Sequence, residues 1–232
     1  MYTLPTTPQD WSSHIDRVKQ RFDREFKQEA LALPPEVEAM PLFRQWISRE
    51  LSKKITSPFW EVAKFQKNQR CLDIGCGVSF LIYDWCTWQT YFYGQEVCVL
   101  AKDALNSRAP QLNSKLFKGV KQGSAHQLDY ETGMFDRVIA TGFSCYYPPA
   151  YWDLVISAVK KVLKPDGLFI FDAIDPDTEM AENWAILEMY LGAEVYLSPL
   201  TQFTKMVKDA GGKVITTKKG ELFQMYQVKF NT

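Results

Sequence analysis

The fold is decided by one stretch, Leu72-Asp73-Ile74-Gly75-Cys76-Gly77-Val78-Ser79-Phe80, in a chain of 232 residues. Its first apolar residues are typical of a buried strand, its two glycines of a tight turn, and the residues that follow of a helix. In open α/β sheets, ligands bind beyond the carboxyl ends of the strands, where glycine lets the backbone approach a ligand without a Cβ clash. The stretch therefore predicts a strand, turn and helix with a ligand at the turn.

On the carboxyl side of this stretch, short apolar runs alternate with helical patterns. The runs occupy residues 71–74, 91–94, 116–120, 138–140 and 168–171, and the helical patterns occupy residues 80–88, 97–108 and 150–163. Such alternation is typical of βαβ units in a mostly parallel sheet. A helix over 201–210 and a hairpin of strands over 213–217 and 222–230 follow. The sequence thus predicts an α/β fold, with a doubly wound, seven-stranded, mostly parallel sheet and an antiparallel C-terminal strand.

The N-terminal side of the chain has a purely helical pattern. Apolar residues recur at intervals of three and four along a first helix: Trp11, Ile15, Val18, Phe22 and Phe26. Pro34-Pro35 is expected to end this helix, and a second amphipathic segment follows over residues 37–51. Residues 1–66 are therefore predicted to form a helical extension that acts as a lid. Residues 67–232 are predicted to form the ligand-binding domain of the same structural unit.

Composition excludes several classes of protein. The 27 basic and 27 acidic side chains balance, which argues against a nucleic-acid-binding surface, and 46% apolar residues indicate a folded domain. We expect no membrane segment and a cytoplasmic location, because no apolar run reaches 18 residues and the N-terminus lacks a signal-peptide pattern. Five cysteines without a C-x-x-C pair and only two histidines argue against disulfides and against a metal site.

A single acidic residue strengthens the interpretation of the glycine turn. Glu96 follows Gly77 by 19 residues and lies at the predicted end of the second strand. A carboxylate at that position can accept hydrogen bonds from both hydroxyls of a ribose. The alternative is an ordinary strand–turn–helix beside a surface glutamate. With both features present, the sequence favours a site for a nucleoside.

Together these motifs resemble those of class I S-adenosylmethionine-dependent methyltransferases. Residues 72–77 look like the first motif of that family, and residues 94–97 look like its second. Residues 123–128 and 133–138 resemble the loop beside the adenine and the strand after it, and residues 163–168 resemble the turn into the fifth strand. Two positions depart from the family pattern, because Ser79 replaces a third glycine and Ser124 replaces an aspartate that meets the adenine.

The resemblance implies S-adenosyl-L-methionine as the cofactor, and it assigns residues to that cofactor. Gly75 and Gly77 would line its methionine and ribose portions, Asp73 would orient its ammonium group, and Glu96 would hold its ribose. The complete set of cofactor-binding residues implied is Asp73, Gly75, Cys76, Gly77, Glu96, Val97, Ser124, Ala125, Thr141 and Gly142. Thr141 and Gly142 would face the sulfonium, and Ser124 and Ala125 would meet the adenine edge.

The methyl acceptor is expected to be a small molecule, because three aromatic-rich segments could wall a water-poor pocket. These segments are residues 1–66, 143–149 and 173–200. The substrate-contacting residues predicted are Trp60, Tyr146, Tyr147, Trp184 and Tyr190. His14, Tyr146 and Tyr147 are the candidate catalytic residues, since each carries a group that can orient an acceptor or exchange a proton. A packed histidine with a local hydrogen bond is the alternative for His14.

A run of seven carboxylates without a lysine or arginine extends over residues 172–194. If this run borders the mouth of the pocket, it would favour an amine or cationic acceptor. The alternative is a solvated helix face.

Three other functions remain open at this point. A nicotinamide-dependent dehydrogenase could use the same glycines and Glu96, but it would want a glycine where the chain has Phe80. A catalytically idle protein that senses the cofactor or scaffolds a partner is compatible with Ser79 and Ser124. Methylation of a protein or an RNA is also compatible with the fold, although the neutral charge disfavours RNA. We favour methyl transfer to a small, partly apolar acceptor.

Overall fold

A seven-stranded sheet forms the centre of the computed structural model, which describes residues 11–29, 32–48, 50–51 and 58–231. Residues 1–10, 30–31, 49 and 52–57 of the predicted extension, and residue 232, lie outside the described residues. The strands are β1 (Arg70–Ile74), β2 (Tyr91–Glu96), β3 (Phe117–Gln122), β4 (Phe135–Ala140), β5 (Leu163–Ile174), β6 (Gly212–Lys219) and β7 (Phe223–Phe230).

The strand order is β3-β2-β1-β4-β5-β7-β6. Strands β1 to β5 pair in parallel, and β7 is antiparallel to both β5 and β6. The chain winds outward from β1 in one direction and from β4 in the other, so a crevice opens between the carboxyl ends of β1 and β4. This topology confirms the predicted fold class.

Helices cover the sheet and its carboxyl edge. They are α1 (Trp11–Lys27), α2 (Pro35–Glu38), α3 (Pro41–Ile47), α4 (Phe59–Ala63), α5 (Trp85–Trp88), α6 (Val99–Asn113), α7 (Pro149–Val162), α8 (Glu179–Leu191) and α9 (Leu200–Asp209). Short 3₁₀ helices occupy Ser79–Leu81 and Ser144–Tyr146. Proline in the first turn favours the starts of α2, α3 and α7. A backbone N–H in the first turn has no partner within the helix, so proline loses no hydrogen bond by lacking it.

The predicted helix over residues 80–88 is wrong. The chain instead forms the 3₁₀ helix Ser79–Leu81 and the single turn α5. The buried indole of Trp85 donates a hydrogen bond to the carbonyl oxygen of Phe80 at 2.6 Å. This side chain takes the acceptor that a continuing helix would use, and burial of the large Trp85 ring fixes the break.

The N-terminal segments also differ in detail from the prediction. Helix α1 ends at Lys27, well before Pro34, and Gln28 after it adopts a left-handed conformation with φ of 55°. The second amphipathic segment is divided into α2 and α3 within its described residues. The break follows from Pro41, which begins α3 and prevents continuation of α2.

Two apolar cores lie on opposite faces of the sheet. Along β5, Phe169 and Phe171 belong to the larger core and Ile170 to the smaller one, since successive strand side chains point to opposite faces. Both faces are covered, which explains why the strands were recognisable as continuous apolar runs. Each of these fully buried side chains contributes roughly 1.5–3 kcal/mol to folding.

Gly94 in β2 is expected to tolerate no side chain. A Cβ at this position would lie 2.8 Å from Cγ2 of Val120 and 2.9 Å from the sulfur of Cys76. We expect Gly94→Ala to lower the free energy of unfolding by about 1–3 kcal/mol, measured by urea denaturation. In a Val120→Ala background the added methyl meets less crowding, so the two substitutions together should cost less than the sum of their separate effects. Strict additivity would contradict this explanation.

Candidate functional site

A cavity of about 760 Å³ lies at the carboxyl ends of β1, β2 and β4, beneath helix α1. Its volume is within the range of about 300–1,000 Å³ that is usual for small-molecule sites. The turn after β1, the end of β2 and the turn after β4 contribute Gly75, Gly77, Glu96 and Gly142 to its wall. The cavity therefore occupies the crevice that the reversal of strand order creates.

Two glycines leave space for a ligand beside the backbone. Gly77 has φ of 50° and Gly142 has φ of 76°, a region that favours glycine. A Cβ at either position would meet no heavy atom of the described residues within 4 Å, so open space lies directly above both turns. Gly75 is different, because a Cβ there would lie 2.9 Å from the ring of Phe143. Its lack of a side chain allows that ring to pack over the turn.

Glu96 connects the two turns that form one side of the cavity. Its carboxylate accepts a hydrogen bond from the backbone N–H of Gly77 at 2.7 Å and another from the N–H of Cys98 at 2.8 Å. The side chain is only 5% exposed. Burial raises the pKa of Glu96 above its ordinary value, while the backbone N–H groups oppose that change. Glu96 thus holds the glycine turn and the start of α6 together while facing the cavity.

Asp73 lies immediately behind the same turn. It is 2% exposed, and its Oδ2 atom has no hydrogen-bond partner among the described residues. Burial, and secondly the nearby charge of Glu96, raise the pKa of Asp73 well above its ordinary value. A buried acceptor without a donor is costly, so a positively charged ligand group that reached this carboxylate would be favourable.

A polar cluster supports the turn after β4. Both carboxylate oxygens of Asp172 accept the N–H of Gly142, at 2.9 and 3.0 Å. Burial raises the pKa of Tyr83, while polar interactions with the side chains of Ser79 and Thr141 oppose that change. Ser79, which occupies the position of the third family glycine, therefore contacts a tyrosine that links the two turns.

The rest of the cavity wall is mainly apolar. Helix α1 contributes Val18, Phe22 and Phe26, which lie four residues apart on one face of the helix. The other large apolar residues in the wall are Ile74, Val78, Leu81, Ile82, Val97, Phe143 and Tyr147. Apart from Glu96, the charged residues in the wall are Glu25 and Arg108. The sequence placed Phe22 on the apolar stripe of the first helix, but helical spacing alone does not show which stripe residues face a cavity.

The predicted cofactor residues converge on this cavity. Six of them contribute to its wall: Gly75, Gly77, Glu96, Val97, Ala125 and Gly142. Of the other four, Asp73 lies near the end of β1, and Cys76, Ser124 and Thr141 lie in the loops that follow β1, β3 and β4. The Cys76 side chain is buried toward Gly94, and the carbonyl oxygen of Ser124 accepts a hydrogen bond from the Gln95 side chain.

Only one of the five predicted substrate residues contributes to this wall, namely Tyr147. Trp60 packs against Trp88 in a separate aromatic cluster. Tyr146 is buried, and its hydroxyl is hydrogen-bonded to Glu188. Trp184 is buried in the larger core, while Tyr190 is 44% exposed on α8. Aromatic content indicated a pocket but did not indicate which rings would face it.

His14 is held in the packing between α1 and the loop after β4. Its Nε2 is 2.6 Å from the carbonyl oxygen of Tyr146, an acceptor to which it must donate. Nδ1 lies 3.3 Å from the Arg17 guanidinium. Burial lowers the pKa of His14, which favours the neutral ring. His14 does not contribute to the cavity wall, so this geometry matches the packed alternative rather than a free proton acceptor.

The acidic run over residues 172–194 does not border this cavity. None of residues 173–200 contributes to the cavity wall. Three of the carboxylates have structural partners instead: Asp172 accepts from Gly142, Asp175 pairs with Lys219, and Glu188 pairs with Arg21. The expectation that the run creates an acidic mouth is therefore corrected, because none of its carboxylates is a wall residue and its buried members are held by hydrogen bonds and ion pairs within the protein.

The described part of the chain contains neither a candidate metal-binding cluster nor a membrane-spanning helix. That part contains no group of three or more histidine, cysteine, aspartate or glutamate side chains that could hold a metal ion. None of its helices combines the length and apolar character needed to cross a bilayer. The five cysteines are free thiols.

Comparisons with known proteins match both the motifs and the fold. A family described as a methyltransferase domain matches residues 72–171. The sterol 4-C-methyltransferase of Caenorhabditis elegans is 25% identical over 159 residues, which are 67% of this chain. The chain spans 45% of the length of that curated relative. The match confirms the predicted family resemblance.

Two solved structures have the same fold along nearly the whole chain. Geranyl diphosphate C-methyltransferase from Streptomyces coelicolor A3(2) has a TM-score of 0.66 at 12% identity, covering 97% of this chain and 99% of its own. Magnesium protoporphyrin IX methyltransferase from Synechocystis PCC 6803 has a TM-score of 0.60 at 15% identity, covering 96% and 97%. Both structures contain S-adenosyl-L-homocysteine. At these identities the likeness establishes the fold.

Proposed function

We propose that this chain, whose residues 72–171 match a family described as a methyltransferase domain, transfers the methyl group of S-adenosyl-L-methionine to a small, partly apolar acceptor. The observation that carries the proposal is the cavity at the carboxyl edge of the sheet. One side of it presents open glycine turns and Glu96, and the other presents the apolar face of α1. A polar half for a nucleoside and an apolar half for an acceptor are what such a reaction requires.

The residues around the cavity fit the cofactor. Gly77 and Gly142 leave room beside the backbone, and the unpartnered Oδ2 of Asp73 is an acceptor for an ammonium group. Glu96 is at the end of β2, where it would accept from the ribose. Val97, Ser124 and Ala125 would contact the adenine. When bound, S-adenosyl-L-methionine supplies a methyl group that is activated by the positive sulfur.

Catalysis by this chain would rest on positioning and on exclusion of water. A methyl acceptor reacts when its attacking atom is held in line at about 3–3.5 Å, and apolar walls remove competing water. Phe22 from α1 and Phe143 after β4 contribute to such walls, so α1 would act as the predicted lid. Burial raises the pKa of Tyr147 well above its ordinary value. Tyr147 would therefore stay protonated and orient the acceptor as a hydrogen-bond donor.

The acceptor half of the cavity favours an apolar molecule over an amine. Val18, Phe26, Val78 and Ile82 dominate the wall there, and the acidic run that suggested an amine lies elsewhere. Two similar proteins are named as methyltransferases of a sterol and of geranyl diphosphate, and each of those molecules contains a hydrocarbon skeleton, the second with a charged diphosphate attached. A neutral, hydrocarbon-rich acceptor is therefore the class that we propose.

A panel of acceptors tests this proposal. The chain would be incubated with S-adenosyl-L-methionine and with neutral isoprenoid alcohols, hydrocarbon amines or hydrocarbon carboxylates of similar size, and S-adenosyl-L-homocysteine would be measured. We expect turnover above the acceptor-free control with the neutral members. Turnover confined to the amines would overturn the acceptor class. Cofactor binding without turnover on any acceptor class, proteins and RNA included, would favour the idle binding protein.

Cofactor binding should become stronger as the pH rises. In the ligand-free protein, burial raises the pKa of Asp73, so part of the population carries a proton there. An ammonium group at Oδ2 would favour the ionised carboxylate and lower that pKa. Binding should therefore release up to about one proton, and affinity should fall as the pH falls below the ligand-free pKa.

Calorimetry in buffers with different ionisation enthalpies measures this proton release. Asp73→Asn should weaken binding of S-adenosyl-L-homocysteine about tenfold or more and remove the Asp73 share of the proton release. Glu96, whose pKa burial also raises, is retained in this variant and accounts for any remaining release. An unchanged proton release in Asp73→Asn would contradict the assigned contact.

A further inference from the structure

Asp23 is a carboxylate on helix α1 that no motif identified. Its Oδ1 atom is buried and has no hydrogen-bond partner among the described residues. Its neighbour in sequence, Phe22, lies in the cavity wall, as does Glu25 two residues further. Asp23 itself is not a wall residue, but its unused acceptor is next in sequence to one on the face of α1 that covers the cavity.

The side chains around Asp23 belong to the proposed ribose site. The Cys98 thiol interacts with the Asp23 side chain, which contributes to the raised pKa of Cys98, and Cys98 lies in the cavity wall as the residue that precedes α6. The charge of Asp23 also acts on Glu96, where it contributes to a raised pKa. No lysine or arginine in the described part of the chain forms an ion pair with Asp23. The two carboxylates thus influence each other electrostatically, and no cation of the described residues pairs with Asp23.

Glu96 alone has limited capacity for a ribose. Each of its oxygens already accepts a backbone N–H, one from Gly77 and one from Cys98. A carboxylate offers about four acceptor positions, so two remain, and their directions are restricted by the existing bonds. A pair of neighbouring hydroxyls presents two donors, and a second carboxylate with an unused oxygen would complement them.

We propose that Asp23 is a cofactor-binding residue of the lid helix, and that it accepts one hydroxyl of the ribose while Glu96 accepts the other. The inference rests on the proposed function, because it takes S-adenosyl-L-methionine as the ligand. In this arrangement the diol lies between the two carboxylates and supplies the donors that both need. Helix α1 then contributes directly to cofactor affinity in addition to covering the acceptor.

A purely structural role for Asp23 would be distinguished from ribose binding by the thermal stability of the ligand-free protein. A carboxylate close to the first turn of α6 could stabilise that helix through its dipole, since the N-terminal N–H groups carry partial positive charge. That contribution would be present in the ligand-free protein, and its loss would lower the midpoint of thermal unfolding without ligand. A role in ribose binding leaves the ligand-free midpoint unchanged, or raises it as repulsion from Glu96 is removed.

Calorimetric titration with S-adenosyl-L-homocysteine and with its 2′-deoxy and 3′-deoxy analogues tests the proposal. Asp23→Ala is expected to weaken binding of the parent compound at least about tenfold, and Asp23→Asn less, because the amide keeps one acceptor oxygen. For the analogue that lacks the hydroxyl held by Asp23, both substitutions should change affinity by less than about twofold. Asp16→Asn, an exposed position on the same helix, is the matched control and should bind like the wild type.

Three results would overturn the proposal. The first is unchanged affinity in both Asp23 variants while the wild type binds, which leaves the proposed function intact. The second is an equal loss of affinity for the parent and both analogues, which indicates an indirect effect of α1 packing. The third is failure of the wild type to bind S-adenosyl-L-homocysteine at all, which removes the proposed function together with this inference.

Discussion

Arg21→Met is expected to lower the free energy of unfolding by about 3–5 kcal/mol. The Arg21 guanidinium donates to both oxygens of Glu188, at 2.9 and 3.0 Å, and so connects α1 to α8. Glu188 is 0% exposed, and Arg21 is 4% exposed. Removal of the guanidinium leaves a carboxylate buried without its counter-charge, which is the costly half of a buried ion pair.

The pH dependence of this loss gives a second measurement. Burial raises the pKa of Glu188, and Arg21 opposes that change. Without Arg21 the folded-state pKa rises further above the unfolded value, so the folded variant is favoured when Glu188 is protonated. The stability of Arg21→Met should therefore be highest at acidic pH and fall as the pH rises through the folded-state pKa. Urea unfolding at several pH values measures the effect.

Two variants provide the controls for this ion pair. Arg21→Met with Glu188→Leu replaces both charges by apolar groups, and it should recover most of the lost stability. Arg24→Met, at an exposed arginine on the same helix, should change stability by less than about 0.5 kcal/mol. If the double variant is as unstable as Arg21→Met, the loss comes from packing and the electrostatic explanation is wrong.

Glu96→Ala is expected to weaken binding of S-adenosyl-L-homocysteine by about 10- to 150-fold. A hydrogen bond to a charged group contributes about 1.5–3 kcal/mol, which corresponds to that range of affinity. The substitution removes the proposed ribose acceptor, and it also frees the N–H groups of Gly77 and Cys98 that Glu96 holds at 2.7 and 2.8 Å. Both effects weaken the same side of the cavity.

Calorimetric titration of the variant measures the loss, and two substitutions separate its causes. Glu96→Gln keeps one acceptor oxygen and should bind with intermediate affinity. Glu131→Ala removes an exposed carboxylate and should leave binding unchanged. Wild-type affinity in Glu96→Ala would show that the carboxylate at the end of β2 does not contact the ligand.

The sheet and its first turn could be predicted because their signals are local. Residues 72–77 contain the strand, the glycines and the turn in one run, and the terminal hairpin is visible as two apolar stretches around Gly220. The prediction of a helix from Phe80 was wrong because the chain there is shaped by the burial of Trp85, whose indole N–H donates a hydrogen bond to the Phe80 carbonyl oxygen. Periodicity cannot show such a contact between a side chain and the backbone.

The residues of the candidate site also divide into those with a local sequence signal and those whose position depends on tertiary packing. Gly75, Gly77 and Glu96 were identified because their spacing along the chain reflects the βαβ unit that brings them together. Asp23 could not be identified, because its approach to Cys98 depends on how α1 packs across the sheet edge. The aromatic residues gave the weakest guidance, since Trp60 and Tyr147 both lie in aromatic-rich segments but face different parts of the fold.

For the proposed methyl transfer, we expect that acceptor preference can be changed at the 3₁₀ helix Ser79–Leu81 with little cost to folding. Val78 and Ile82 at its ends belong to the cavity wall, yet they are 36% and 71% exposed and lie outside the sheet. Exposed positions away from the core usually tolerate substitution with changes of about 0.5 kcal/mol or less. The short turn thus separates the determinants of selectivity from those of stability, which makes these two positions suitable for a focused mutant library.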